Sequence, residues 1–191
     1  SWYRRQRQMC IRDSYSSDET QAIAKKKGAR FFQHKFDDFG SQRNYALDSI
    51  DFKHEWVFHL DADERFNDEL RNECERVISE DCKSAYFVPN RIIFLGRWIR
   101  RCTQYPYPQV RLIKLGEVRF AKSGHGQKED QAVRGVGHIH VAYDHHNFSK
   151  GIEYWISKHN KYSSEEAQSV AAMKLQPLTL IFSKNMMTRK R

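Results

Sequence analysis

Glu55-Trp56-Val57-Phe58-His59-Leu60-Asp61-Ala62-Asp63-Glu64 joins the most strand-like apolar run of the chain to its densest knot of carboxylates. Trp56, Val57, Phe58 and Leu60 are aromatic or branched, with no Gly or Pro among them, the composition of a strand buried in a covered sheet. The strand is expected to end at the acids. Ligands of open α/β sheets gather at the carboxyl ends of strands, so Asp61 and Asp63 would emerge where a ligand can reach them. In extended chain, residues two apart share a face, and both carboxylates can address one hard cation across the small Ala62. A divalent metal carrying a pyrophosphate suits that pair. The same acids also suit a strand end leading into a helix at Asn67, where negative charge favours the helix N-terminus, and a lone DxD does not decide between the two.

On the N-terminal side, residues 9–12 read as a short strand running into Asp13-Ser14-Tyr15-Ser16-Ser17-Asp18-Glu19-Thr20, a cluster of turn and cap residues. A helix follows through Ala22, Ile23 and Ala24, closed by Lys25-Lys26-Lys27 and by Gly28 at the C′ position. Residues 29–33 form a second strand. Strand, acidic loop, helix and strand in that order are the grammar of a parallel sheet. Ser41 is expected to cap the next helix, through Ala46, Leu47 and Ile50. Near its start Arg43, beside Gln42 and Asn44, is either a solvated helix charge or a cation positioned to hold phosphate.

On the C-terminal side, Leu70, Cys74, Val77 and Ile78 recur at helical spacing and read as core packing. From Ser84 onward the pattern turns to short β segments at 85–88, 92–95, 109–115 and 118–120, antiparallel in character. Gly96-Arg97-Trp98-Ile99-Arg100-Arg101 and Tyr105-Pro106-Tyr107-Pro108 bring arginines and aromatics together in irregular chain. Such a surface suits sugars or single-stranded nucleic acid, and equally an ordinary loop. Six histidines lie between positions 125 and 159 (His125, His138, His140, His145, His146 and His159) without a complete ligand set at zinc spacing. Residues 148–171 are helical in pattern. Beyond Pro177, Leu178, Leu180, Ile181 and Phe182 lead into Lys184, Arg189, Lys190 and Arg191, which fits a helix on an anionic membrane surface or a packed helix with C-terminal cations.

The 191 residues suffice for one domain with an appendage, and a hydrophobic fraction of 39% supports a real core. The mean hydropathy of -0.82 makes the surface strongly polar. With 33 Lys+Arg against 24 Asp+Glu the net charge is +9, which favours acidic partners: nucleotide phosphates, an anionic membrane or nucleic acid. Four cysteines without a CxxC pair suggest neither a disulfide scaffold nor a zinc ribbon, and read as reduced thiols of a cytosol.

The order of motifs resembles the family-2 glycosyltransferases of GT-A fold. Asp13-Ser14-Tyr15-Ser16-Ser17-Asp18-Glu19-Thr20 is similar to their D-S-x-S-T-D-x-T loop, Gly40-Ser41-Gln42-Arg43-Asn44-Tyr45-Ala46-Leu47 to G-x-x-R-N-x-A-L, and Leu60-Asp61-Ala62-Asp63-Glu64 to L-D-A-D-E. Phe94-Leu95-Gly96-Arg97-Trp98-Ile99-Arg100, Gln109-Val110-Arg111-Leu112, Gly124-His125-Gly126-Gln127-Lys128-Glu129 and His145-His146-Asn147-Phe148-Ser149-Lys150-Gly151 resemble the branch that builds lipopolysaccharide and other bacterial surface polysaccharides. The resemblance spans roughly residues 9–191.

It implies an α/β fold: a Rossmann-like, mostly parallel sheet flanked by helices, with a small antiparallel element and a helical C-terminal extension. Residues 1–8 remain an unassigned basic segment, 9–147 form the GT-A domain without its usual first strand, and 148–191 form the extension. The chain is expected to be a fragment open at both ends. By resemblance, Asp13, Arg43, Asn44 and Asp61 would contact the nucleotide-sugar donor. Asp61 and Asp63, with His145, would hold Mg2+ or Mn2+ against its pyrophosphate. Glu129 would be the general base of an inverting transfer, with Asp130 and His125 behind it. The acceptor would be a lipid-linked saccharide or lipopolysaccharide, handled in the cytoplasm at the inner face of the cell membrane, with no nucleic acid partner. Two departures stand out: Arg12 occupies an apolar strand position, and Tyr107 stands where relatives carry Asp. The competing readings are a basic nucleic-acid- or membrane-binding module, and a sugar-nucleotide nucleotidyltransferase. The first would bind without Asp61 and release steeply with salt. The second would want a Gly-rich phosphate loop that this sequence lacks.

Overall fold

A computed structural model describes residues 9–101, 105–123 and 126–172. The basic residues 1–8, His125 and the expected membrane-surface segment beyond Pro177 lie outside the described residues. The chain opens with β1 (Cys10–Asp13), α1 (Thr20–Lys26) and β2 (Arg30–Gln33), and β1 and β2 pair in parallel as the strand–helix–strand pattern predicts. α2 (Phe39–Ser49) leads to β3 (Trp56–Phe58), which ends before the acids. Then follow β4 (Glu64–Arg65), α3 (Asp68–Glu80), β5 (Ala85–Val88), β6 (Asn90–Phe94), β7 (Arg97–Trp98) and β8 (Gln109–Lys114). β9 (Val118–Ser123), β10 (Gly126–Ala132), β11 (Val136–His138), β12 (Tyr143–His145) and α4 (Ile152–Ala172) complete the order.

Two four-stranded sheets carry the centre, one ordered β11-β5-β8-β3 and one ordered β4-β12-β6-β7. The α/β class stands, but the sheets are more mixed than expected. Among the described residues three strand pairings are parallel and five antiparallel. Two of the five belong to β8: the chain returns from the β6–β7 hairpin and enters between β5 and β3, antiparallel to both.

Alternation along β5 divides the core. Tyr86 and Val88 face α3, whose Leu70, Cys74 and Val77 form one apolar stripe, with Leu112 and Tyr143 completing the layer. Ala85 faces the other way, onto Val110, Ile113, Val118 and Phe120, with Leu47 of α2 packed against them. α3 starts where the sequence indicates, the Asn67 side chain accepting from the Leu70 N–H at 2.8 Å, with Asp68 and Glu69 in the first turn. The cap of α2 is a correction. Asp38, not Ser41, is the N-cap, and Ser41 donates its N–H to Asp38 at 2.9 Å. Asp38 has the extended backbone of an N-cap, whereas Ser41 already lies inside the helix and its hydroxyl donates to the Asp38 carboxylate at 2.6 Å. Gly40 lets this first turn lie on β9, since a Cβ there would stand 3.0 Å from the Ala121 carbonyl carbon. The three described cysteines, Cys10, Cys74 and Cys82, are free.

Candidate active site

The site is built where β3 ends. Phe58 pairs with Leu112, the His59 N–H donates to the Arg111 carbonyl at 2.8 Å, and the strand then breaks. Asp61 to Glu64 form a turn closed by the Glu64 N–H on the Asp61 carbonyl at 3.0 Å. This corrects the expectation that Asp61 and Asp63 share one face. A turn abolishes the two-residue alternation of extended chain, so the carboxylates diverge.

Asp61 faces arginines. Its Oδ2 accepts from Arg111 Nη1 and Nη2 at 3.2 and 3.1 Å, and Arg43 Nη2 lies 3.9 Å from its Oδ1. Asp63 faces a histidine, its Oδ2 lying 3.5 Å from His145 Nε2. The second sheet sets that contact: β12 runs antiparallel to β4, pairing His145 with Glu64, and the His146 N–H donates to the Asp63 carbonyl at 2.8 Å.

Arg111 is the hub, and the sequence reading gave it no role. The register of β8 against β5 slips at this point, Tyr86 opposing Leu112 and Phe87 opposing Val110. Arg111 is therefore the extra residue of a bulge, a device that re-aims a side chain. Its guanidinium, 3% exposed, donates to Glu64 Oε1 at 2.5 Å and to the Tyr143 hydroxyl at 3.1 Å besides Asp61. Glu64, with a fully buried side chain, completes the turn by accepting from the Asp61 N–H at 2.8 Å. A charge amid Val110, Leu112 and Ile113 was the available signal, because a buried arginine requires a partner.

Two further residues join from unexpected places. Arg12, which breaks the apolar pattern of β1, hydrogen-bonds the buried Gln42 of α2 and lies within electrostatic reach of Asp61 and Asp13. The His59 ring meets Phe120 edge-on at 5.7 Å, and its Nε2 is buried without a hydrogen-bond partner.

These surroundings set the charges. Burial lowers the Arg43 pKa to about 10, and Arg111 pushes the same way while Asp61 opposes. Burial, then Arg43 and Arg111, hold the His59 imidazole well below its ordinary value, so it is neutral. For Asp61, confinement acts upward, but Arg111 and then Arg43 outweigh it and the net direction is down. Glu64 moves up because burial outweighs Arg111. Asp63 moves down, chiefly through its bond to His145.

The other predicted residues divide. Arg43 is in the site, its guanidinium 5.5 Å from the Phe120 ring and its Nη1 buried without a partner. Asn44 is one step removed, with both ends of its amide engaged by the Phe120 backbone at 2.8 and 3.1 Å, clamping α2 to β9. Asp13 ends β1 and closes its own loop, accepting from the Ser16 N–H at 2.9 Å, the Ser16 hydroxyl at 2.5 Å and Gln33 at 3.3 Å. Glu129 pairs across the hairpin with Phe120, so it shares the face that Phe120 turns toward Arg43 and His59. Asp130 sits at the irregularity of β10 and is exposed. Among the described residues no group of three or more His, Cys, Asp or Glu converges on a point that could hold a cation. Asp63 and His145 supply two donors. That suffices for an octahedral ion completed by waters and substrate phosphates, the usual arrangement for Mg2+ in phosphate chemistry.

The fold belongs to an α/β class found in glycosyltransferases. The crystal structure of S. aureus TarS 1-349 is similar with a TM-score of 0.51, covering 86% of this chain and 59% of that chain at 15% identity. Among curated proteins, an uncharacterized glycosyltransferase of Rickettsia typhi is 27% identical over 175 residues, covering 85% of this chain and 59% of that protein. Counterparts from Rickettsia felis and Rickettsia conorii are each 25% identical over 173 residues, covering 60% and 61% of their lengths. The chain thus spans about three fifths of these relatives. No protein-family model matches it.

Proposed function

We propose that this chain is the donor-binding, catalytic part of an inverting, metal-dependent family-2 glycosyltransferase of GT-A type. It moves a sugar from a nucleotide-sugar donor to a lipid-linked saccharide or lipopolysaccharide, as a peripheral enzyme at the inner face of the membrane. One observation carries the reading: the Asp61 to Glu64 turn presents one carboxylate to two arginines and the other to a histidine, at the end of β3 and beside β8. The glycosyltransferase relatives support it.

In this reading Asp63 and His145 hold the ion, and an imidazole among the donors favours Mn2+ over Mg2+. When bound, the ion stabilises the negative charge that grows on the departing diphosphate. Asp61 keeps Arg43 and Arg111 charged and in place. Arg43 and Arg111 set positive charge beside the departing phosphates, and Arg12 adds positive charge on the β1 side. Asp13 shapes the loop that meets the nucleotide, and Asn44 fixes the hairpin that carries Glu129. Glu129 takes the proton of the acceptor hydroxyl as that oxygen attacks the anomeric carbon from the side opposite the leaving group.

The test is calorimetric titration of UDP, and separately GDP, with and without Mn2+, on the native chain and on Asp63→Ala. The expected result is binding that needs Mn2+ and is lost in Asp63→Ala. Nucleotide binding indifferent both to Mn2+ and to Asp63 would overturn the metal assignment, and no binding of either nucleotide would remove the donor site from this chain.

A further inference from the structure

A hollow of about 410 Å3 lies between the β6–β7 hairpin and the start of α4. Its lining includes Ile93, Phe94, Leu95, Phe148 and Ile152, so it is apolar and unsuited to a diphosphate. His146 also lines it, and the His146 N–H is bonded to the Asp63 carbonyl, so the hollow adjoins the candidate metal turn. Ligand sites typically occupy about 300–1,000 Å3 and are mainly apolar.

The hairpin tip carries a second, independent signal. Leu95 and Gly96 both have positive φ, 48° and 76°, the geometry of a two-residue hairpin turn that favours Asn-Gly. A leucine there is strained, and its side chain is 87% exposed. Folding alone would favour asparagine on both counts. Ile152, across the hollow, is 49% exposed. Cations flank the two walls. Arg97 follows Gly96 and has no carboxylate partner among the described residues, and Lys150, between Ser149 and Gly151, lies 5.0 Å from the Tyr154 ring. Glu153 is an exposed acid on the first turn of α4.

We propose that this hollow binds the hydrocarbon portion of an anionic lipid-linked acceptor, with Arg97 and Lys150 meeting its phosphate and Leu95 lying along the chain. This rests on the glycosyltransferase reading only for the word acceptor; the apolar-chain site stands on its own geometry. Apolar rings line the way from the hollow into α4, Phe94 packing edge-on against Phe148 at 4.8 Å and Phe148 stacking on Trp155 at 5.2 Å.

The test titrates hexyl, octyl and decyl phosphate, below their micelle concentrations, into the native chain, with inorganic phosphate as control. Affinity should tighten about three- to fourfold per added methylene, following the free energy of burying one. Leu95→Asp and Ile152→Asp, both at exposed positions, should weaken decyl phosphate at least tenfold and leave the UDP and Mn2+ titration unchanged. Leu95→Asn should raise the melting temperature while weakening decyl phosphate, which a purely structural Leu95 would not do. Equal affinity for phosphate and decyl phosphate would leave a bare anion site and overturn the proposal. So would full retention of decyl phosphate binding by both Asp variants, or binding to anionic vesicles without binding to any monomeric alkyl phosphate. Loss of UDP binding with the alkyl series intact would count against the donor site alone.

Discussion

The end of β3 and the face between the β6–β7 hairpin and α4 stand on either side of Asp63 and solve opposite problems. At the first, a buried charge is paired on every side: the buried Arg111 answers the buried Glu64 and Tyr143 and the more exposed Asp61 at once. At the second, apolar side chains stand in water, with Leu95, Ile152, Tyr154 and Ile156 all exposed. A buried ionic network fixes geometry, because removing any one member leaves an uncompensated charge. An exposed apolar face gains nothing until something covers it. In the proposed reading, one side holds a charged group rigidly and the other receives an apolar one.

The largest effect that would test this contrast is Arg111→Ala, which strands the buried Glu64. It should cost about 3–5 kcal/mol in equilibrium urea unfolding. The double variant Arg111→Met with Glu64→Leu should recover most of that loss; a double variant as unstable as the single would mean that volume, not charge, dominates the site. Next comes Asn44→Ala, which removes both bonds to the Phe120 backbone and leaves buried peptide groups unpaired, for about 1–3 kcal/mol. Hydrogen exchange should rise in β9 and β10 more than in α3.

Asp38→Ala removes the cap of α2 and should cost about 1 kcal/mol. Its pH dependence has a defined sign. Bonds from the Ser41 side chain and N–H hold the Asp38 carboxyl below its ordinary value, so its contribution is complete above the ordinary carboxylate pKa and fades as pH falls through the folded one. Native chain and Asp38→Ala should therefore converge in stability in acid. The smallest effect is expected on the other face: Ile156→Ser should shift stability by no more than about 0.5 kcal/mol. A loss above 2 kcal/mol there would show that α4 is part of the core and would erase the contrast.

Much of this was legible in residue order. The strand at Trp56 to Phe58, the helix opened by Asn67 with Leu70, Cys74 and Val77 inward, the parallel β1–β2 unit and the end of the strand ahead of Asp61 and Asp63 all rest on local pattern. Three things were not. The antiparallel entry of β8 depends on where a distant segment docks, and nothing local records it. Asp61 and Asp63 looked like neighbours on one face because alternation was assumed to continue through a turn. Arg43 and Asn44, adjacent in sequence and alike in expected role, part company: one guanidinium lies beside Asp61, while the other side chain ties two elements together.

The sequence by itself determined the α/β elements, the apolar faces that bury them and the acidic cluster that ends β3. Those follow from periodicity and turn chemistry within about a dozen residues. Only the tertiary structure decided the partners of the charges. Arg12, Arg43, Arg111 and His145 come from four separate elements to meet the one turn that carries Asp61 and Glu64, and the energy of a buried ion depends on which opposite charge lies within a few ångströms, not on its neighbours along the chain.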